Sequence, residues 1–153
     1  MMRGANSLLV LGAAFAALAS APLAAQPGAP TGTLTVTDAW VRAIPGAAVA
    51  AAYMRLHNGG TRPVRVTGVR SALAGHAMIH ETRLENGVST MRPHEPLVIA
   101  PGASVELRPG GLHVMLHDLA HPLAVEEQVP LELLLEGGGR VAVSARVRPL
   151  SAE

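Results

Sequence analysis

The 153-residue chain carries 12 basic and 11 acidic side chains, 7 histidines, 6 methionines and no cysteine, for a formal net charge of +1. Every basic residue is arginine, and the aromatics are one Phe, one Trp and one Tyr, so there is neither a basic field nor a set of stacking platforms for nucleic acid. Without cysteine there is no disulfide and no thiolate, so any soft-metal site must be built from other donors.

The first segment, Arg3 followed by the apolar run LLVLGAAFAALA at 8–19, has the form of a secretory signal peptide. The run is shorter than the roughly 20 residues of a membrane-spanning helix, and no other stretch competes, so no membrane insertion is expected after cleavage. Ala19-Ser20-Ala21 has the small-x-small form but is followed by Pro22. Cleavage is therefore expected after Ala25, removing residues 1–25 as the signal peptide. No cysteine stands ready to take a lipid anchor. Residues 26–32, QPGAPTG, read as a flexible lead-in to one domain at 33–148, with 149–153 as a short tail.

From residue 33 onward, short segments rich in Val, Leu, Ile and Thr alternate with turn residues every eight to twelve positions, the pattern of an all-β antiparallel sandwich or barrel. Strands are predicted at 33–41, 49–57, 63–70, 76–84, 88–92, 97–99, 103–108, 112–117, 129–136 and 140–147. Asn58-Gly59-Gly60, Asn86-Gly87, Pro101-Gly102, Pro109-Gly110-Gly111 and Gly137-Gly138-Gly139 supply positive φ or a fixed proline φ to the turns. The longest connection is expected at 117–128. Trp40 and Tyr53 are expected to pack in the core or at a sheet edge, and His57, His94 and His121 to lie in exposed turns.

The fourth and eighth strands carry related pentapeptides, HAMIH at 76–80 and HVMLH at 113–117. Side chains at i, i+2 and i+4 of a strand share a face, so His113, Met115 and His117 stand opposite the apolar set Leu112, Val114 and Leu116 and point away from the core. In the first cassette the face opposite His76, Met78 and His80 reads Ala77, Ile79, Glu81, Arg83, and core packing of Met78 remains an equal alternative. Asn86-Gly87 signals a two-residue hairpin pairing Glu85 with Val88, Leu84 with Ser89 and Thr82 with Met91. That register sets Met91 on the face of His80 and diagonal to it. If the two strand regions lie side by side, His80, Met91, His113 and Met115 converge as two imidazoles and two thioethers. Thioether sulfur suits Cu(I), zinc normally takes cysteine, histidine or carboxylate, and the carboxylates that calcium or magnesium would need do not cluster here. A blue-copper electron-transfer site needs a cysteine and is excluded.

The spacing His80, ten residues, Met91, twenty-one residues, His113, one residue, Met115 is similar to the H-x10-M-x21-H-x-M motif of the PCu(A)C family of periplasmic copper chaperones. The stretches AWVRAIP at 39–45, IHETRLENGVSTMRP at 79–93 and LRPGGLHVMLHDL at 107–119 resemble it too, and the likeness runs over roughly residues 33–148. The resemblance implies a cupredoxin-like antiparallel β-sandwich or Greek-key barrel holding one Cu(I) per chain on His80, Met91, His113 and Met115. It further implies a carrier that hands copper to an oxidase subunit, in some relatives together with a thiol-containing copper chaperone; the signal peptide predicts a periplasmic location, and a monomer is expected. Leu84 and Ser89 stand where many relatives have methionine, and the plain C-terminus RVRPLSAE lacks their His- and Met-rich tail. His76, Met78 and His117 lie outside the motif and read either as an auxiliary metal site or as ordinary surface and half-buried side chains.

Enzyme signatures are missing. His80-Glu81 begins like a zinc-protease motif, but Leu84 occupies the place of the second histidine, and there is no G-x-S-x-G elbow. The expectation is a non-enzymatic copper carrier, with an exported copper resistance or storage protein as the alternative and a copper enzyme behind both.

Overall fold

The structure, a computed structural model, describes residues 33–149. The signal peptide, the lead-in and the last tail residues expected from the sequence lie outside the described residues. Ten strands follow in chain order: β1 Leu34–Ala43, β2 Ala50–Asn58, β3 Val64–Ser71, β4 Ala74–Glu85, β5 Val88–Pro93, β6 Leu97–Ile99, β7 Ser104–Leu107, β8 Leu112–Leu119, β9 Gln128–Leu135 and β10 Arg140–Arg148. They correspond one to one with the predicted strands, with ends moved by about two residues at most, as strand termini commonly are.

Hydrogen bonding links them in the order β5-β4-β8-β2-β1-β10-β9-β3-β6, with β7 also paired to β2. All pairings are antiparallel except β1 with β10. β3 and β4 belong to opposite ends of this path although only Ala72 and Leu73 separate them, so the chain folds the ladder into a two-layered β-sandwich there. Between the layers lie Val41, Leu56, Val66, Ile79, Ile99, Val114, Leu116 and Val129, all with no exposed surface. Each such side chain contributes about 1.5–3 kcal/mol relative to exposure, which is how a chain without disulfides holds its shape.

Two local features differ from expectation. His57 lies in β2, opposite Thr35 and Ser104, and the turn begins only at Asn58, whose buried side chain binds Arg62 O, Ile99 O and the Gly60 amide. In that turn glycine is needed for space, because a Cβ on Gly60 would come within 2.7 Å of the Thr33 side chain. The connection after β8 is shorter than predicted, since β8 continues through Leu119.

Candidate metal centre

β4 and β8 lie side by side, antiparallel, and their register sets the two pentapeptides directly opposite each other: His76 with His117, Met78 with Met115, His80 with His113. Directly opposed residues share a face, so six potential metal donors stand on one side of the pair. The other side carries Ala77 with Leu116 and Ile79 with Val114, and Ile79, Val114 and Leu116 are fully buried. Alternation over the paired pentapeptides therefore puts Ala77, Ile79, Val114 and Leu116 inward and the histidines and methionines on the opposite face. Met78 is half-buried on the donor face, so the core-packing alternative for it does not hold.

Met91 enters from β5. The β4–β5 hairpin turns on Asn86 and Gly87, with φ of 52° and 79°, both in the left-handed region that a two-residue hairpin requires. The resulting register pairs Glu85 with Val88, Leu84 with Ser89 and Thr82 with Met91, as the sequence predicts, and places His80 opposite Pro93. Met91 is thus diagonal to His80 on the donor face. It is 57% exposed, whereas His113 is 4% exposed and His80 and Met115 are half-buried. The four residues form a gradient from a buried imidazole to an open thioether. The outward-pointing His113 is less accessible than its strand face suggested, and the Tyr53 ring of β2 lies beside it at a centroid distance of 6.5 Å.

The ring nitrogens of His113 and His80 are held in different ways. Nδ1 of His113 lies 3.1 Å from the carbonyl oxygen of Gly111. A carbonyl can only accept, so Nδ1 carries the proton and Nε2 keeps its lone pair; backbone partners of this kind set the tautomer of metal-binding histidines. In His80, Nε2 sits 3.1 Å from the thioether sulfur of Met78, while Nδ1 is buried with no partner. Leaving a buried polar atom unsatisfied costs about 1–3 kcal/mol, and a bound metal ion is one way to satisfy it. Burial, followed by the nearby imidazoles of His113 and His117, holds His80 below the ordinary histidine value of 6.5, with Glu95 acting weakly the other way. His80 is therefore neutral at neutral pH, the form that ligates metal. The two rings stand 5.9 Å apart, nearly perpendicular.

Met91, His113 and Met115 border a cavity of about 270 Å³ that Tyr53 and Arg42 also line. These two residues were not singled out as part of the site from the sequence. Tyr53 stacks on Trp40 at 4.6 Å, and the Arg42 guanidinium lies over both rings. Trp40 meets Tyr53 because β1 bulges between Thr37 and Trp40, where Asp38 has φ 53°. Ala51, opposite Met115 on β2, keeps the cavity open because it has so small a side chain. A fixed guanidinium charge beside a neutral donor set opposes a divalent ion more strongly than a monovalent one. Among the described residues no three His, Asp or Glu side chains are placed to hold a metal, so a site on this face draws on methionine sulfur. The other histidines lie elsewhere: His57 is exposed beside Ser104, half-buried His94 faces Glu81, and exposed His121 binds Glu127.

Residues 34–147 match the family described as "Putative lipoprotein LpqE-like". The chain is 33% identical over 132 residues to "Putative lipoprotein Lxx21020" of Leifsonia xyli subsp. xyli, covering 85% of this chain and 79% of that one. Among solved structures, the copper-bound PCuAC domain from PmoF2 superposes with a TM-score of 0.65 at 28% identity, over 77% of this chain and 94% of that one. Apo-DR1885 from Deinococcus radiodurans is 31% identical, with a TM-score of 0.64 over 93% of this chain and 96% of that one. The Cu(I) form of DR1885, also 31% identical, superposes with a TM-score of 0.59 over 82% and 83% of the two chains. The sandwich is accordingly cupredoxin-like, as the resemblance implied. With its family match spanning β1 to β10 and its backbone shared with these domains, the chain belongs to the LpqE-like family and is built on a PCuAC domain.

Proposed function

We propose that this protein is an exported, periplasmic Cu(I) carrier that binds one copper tightly through His80, Met91, His113 and Met115 and passes it to a copper-accepting subunit of a respiratory oxidase or a related acceptor. The single observation that carries the reading is the strand register: the β4–β8 and β4–β5 pairings bring two imidazoles and two thioethers from three strands onto one face. Neutral sulfur and neutral nitrogen donors suit a soft monovalent ion. Relatives that hold copper, the PmoF2 domain and Cu(I)-DR1885, support the choice of metal. Export is supported by the lipoprotein description of the family, and no helix among the described residues is long and apolar enough to cross a membrane.

Transfer follows from the gradient of exposure. Buried His113 and half-buried His80 and Met115 anchor the ion, while Met91 lies open to an incoming partner whose thiol or thioether can replace it. A thioether replaces Met91 without losing a proton, whereas a thiol binds as the thiolate and gives up its proton to solvent. No reacting substrate enters this scheme, and the protein acts as a carrier without enzymatic turnover, on its own or with a thiol-containing copper chaperone. A competition titration with a Cu(I) chelator tests the binding: affinity well below micromolar is expected, and no binding tighter than that overturns the reading. Deletion of the gene tests the destination. Loss of oxidase copper loading under copper scarcity supports delivery, whereas copper sensitivity with a fully loaded oxidase replaces it with resistance or storage.

A further inference from the structure

The donor face continues past the four motif residues. The β4–β8 ladder has three donor rungs in succession, His80–His113, Met78–Met115 and His76–His117. Rungs two residues apart are spaced about 6.5–7 Å along the strands, so the backbones of the outer two histidine pairs lie about 13 Å apart, with the Met78–Met115 rung between them. An antiparallel pair has a local two-fold axis normal to the sheet, here passing between Met78 and Met115. It exchanges His113 with His76, His80 with His117, and Met115 with Met78. Each histidine pair therefore has the same backbone relation to one sulfur of the central rung.

We propose that His76, His117 and Met78 form a second binding site for a soft monovalent cation, Cu(I) in the first instance, a few ångströms beyond the first. The proposal rests on the Cu(I) reading of this face. The rings of His76 and His117 stand 6.3 Å apart, against 5.9 Å for His80 and His113, so the second pair is spaced much like the first. His117 lies 6.4 Å from His80, and the four imidazoles run as a continuous series along the strand pair. Met78 stands at their centre, and its sulfur touches Nε2 of His80 only through a weak thioether contact that a metal readily displaces. No carboxylate pairs with His76 or His117 among the described residues, in contrast to His94 and His121, which face Glu81 and Glu127. The set again joins imidazole to thioether without a carboxylate, which favours Cu(I) over zinc or copper(II).

The two ends differ in one respect. β5 contributes Met91 only at the His80–His113 end. The second site therefore has three protein donors, one of them on the exposed His76, and fills after the first. Its open position suits a site where copper enters or leaves.

Anaerobic titration of the mature protein with Cu(I), and separately with Ag(I), tests this by following histidine ring and methionine methyl NMR signals. The wild type is expected to take up two equivalents, the second shifting His76, His117 and Met78. The double variant His76→Ala, His117→Ala is expected to retain the first equivalent and lose the second, and Met78→Ala to weaken the second alone. Uptake of a single equivalent by the wild type overturns the second site while leaving the first intact. Loss of the first equivalent in Met78→Ala also overturns it, since Met78 then belongs to the first site. Binding of no metal at all overturns the Cu(I) reading itself, a distinct result.

Discussion

At the scale of single residues, the four candidate donors are unequally exposed, and the difference is measurable. Met91 and Met115 supply the two sulfurs of the proposed first site, so Met91→Ala and Met115→Ala should each weaken Cu(I) binding by more than the roughly 10- to 100-fold lost when an outer-shell partner is removed. Chelator competition checks this, with Leu84→Ala, on the exposed hairpin arm, as the variant expected to bind like the parent. Acidity acts through the histidines. His80 is held below 6.5 by burial, so its proton competes with copper only at lower pH than an ordinary histidine would allow. As far as His80 is concerned, affinity should stay level as pH falls through 6.5 and then drop about tenfold per unit once pH passes below its lowered value. Competition titrations between about pH 7.5 and pH 5 check the position of that break, and His80→Ala should abolish it. The candidate donors and their shared face were legible in the sequence because His and Met are rare in this chain and recur at two-residue spacing. Their environments were not. His113 is buried with Tyr53 as a neighbour across the β2–β8 pairing, a contact no local pattern encodes.

At the scale of elements, the site depends on register. Asn86-Gly87 was the clearest local signal, because only residues tolerant of positive φ fit a tight hairpin, and it set the Thr82–Met91 pairing correctly. Gly87→Val places a β-branched residue at φ 79°, which costs about 1–2 kcal/mol and favours a longer, slipped turn. A slip of one residue turns Met91 to the opposite face, so this variant should lose Cu(I) affinity as Met91→Ala does while β4 and β8 remain paired. Chelator competition and backbone NMR together distinguish the two effects. Ala51→Leu should act from the other side, filling the cavity beside Met115 and lowering affinity with little change in fold, as circular dichroism can verify. The direct opposition of HAMIH and HVMLH could not be read from either segment alone. Each cassette specifies which side faces the core, yet their alignment rung for rung follows from packing Ile79 against the inner face of β8, and from the turn and hairpin that separate them.

At the scale of the whole molecule, the hydrophobic sandwich is the rigid support on which the donor face is mounted. Ile79 and Val114 lie opposite each other directly beneath the His80–His113 region, and Ile79→Ala should destabilise the protein by about 2–5 kcal/mol in urea unfolding while weakening Cu(I) binding less than loss of a ligand does. Copper in turn should stabilise the fold, by about 2.7 kcal/mol at a free concentration one hundred times the Kd, seen as a rise in Tm with Cu(I) or Ag(I) but not with calcium or magnesium. Much of the architecture was readable because ten short alternating segments, punctuated by Gly, Pro and Asn, admit few alternatives to an antiparallel sandwich. The bulge at Asp38, which brings Trp40 onto Tyr53 and Arg42 over both, had no distinct signal, since Asp in a Thr-rich strand looks like an ordinary exposed position. X-ray absorption at the copper edge counts directly which atoms meet around the ion. For protein loaded with one equivalent of Cu(I), a shell of two sulfur and two imidazole nitrogen neighbours is expected, losing sulfur in Met91→Ala. A shell of nitrogen and oxygen alone would rule out the site of two imidazoles and two thioethers.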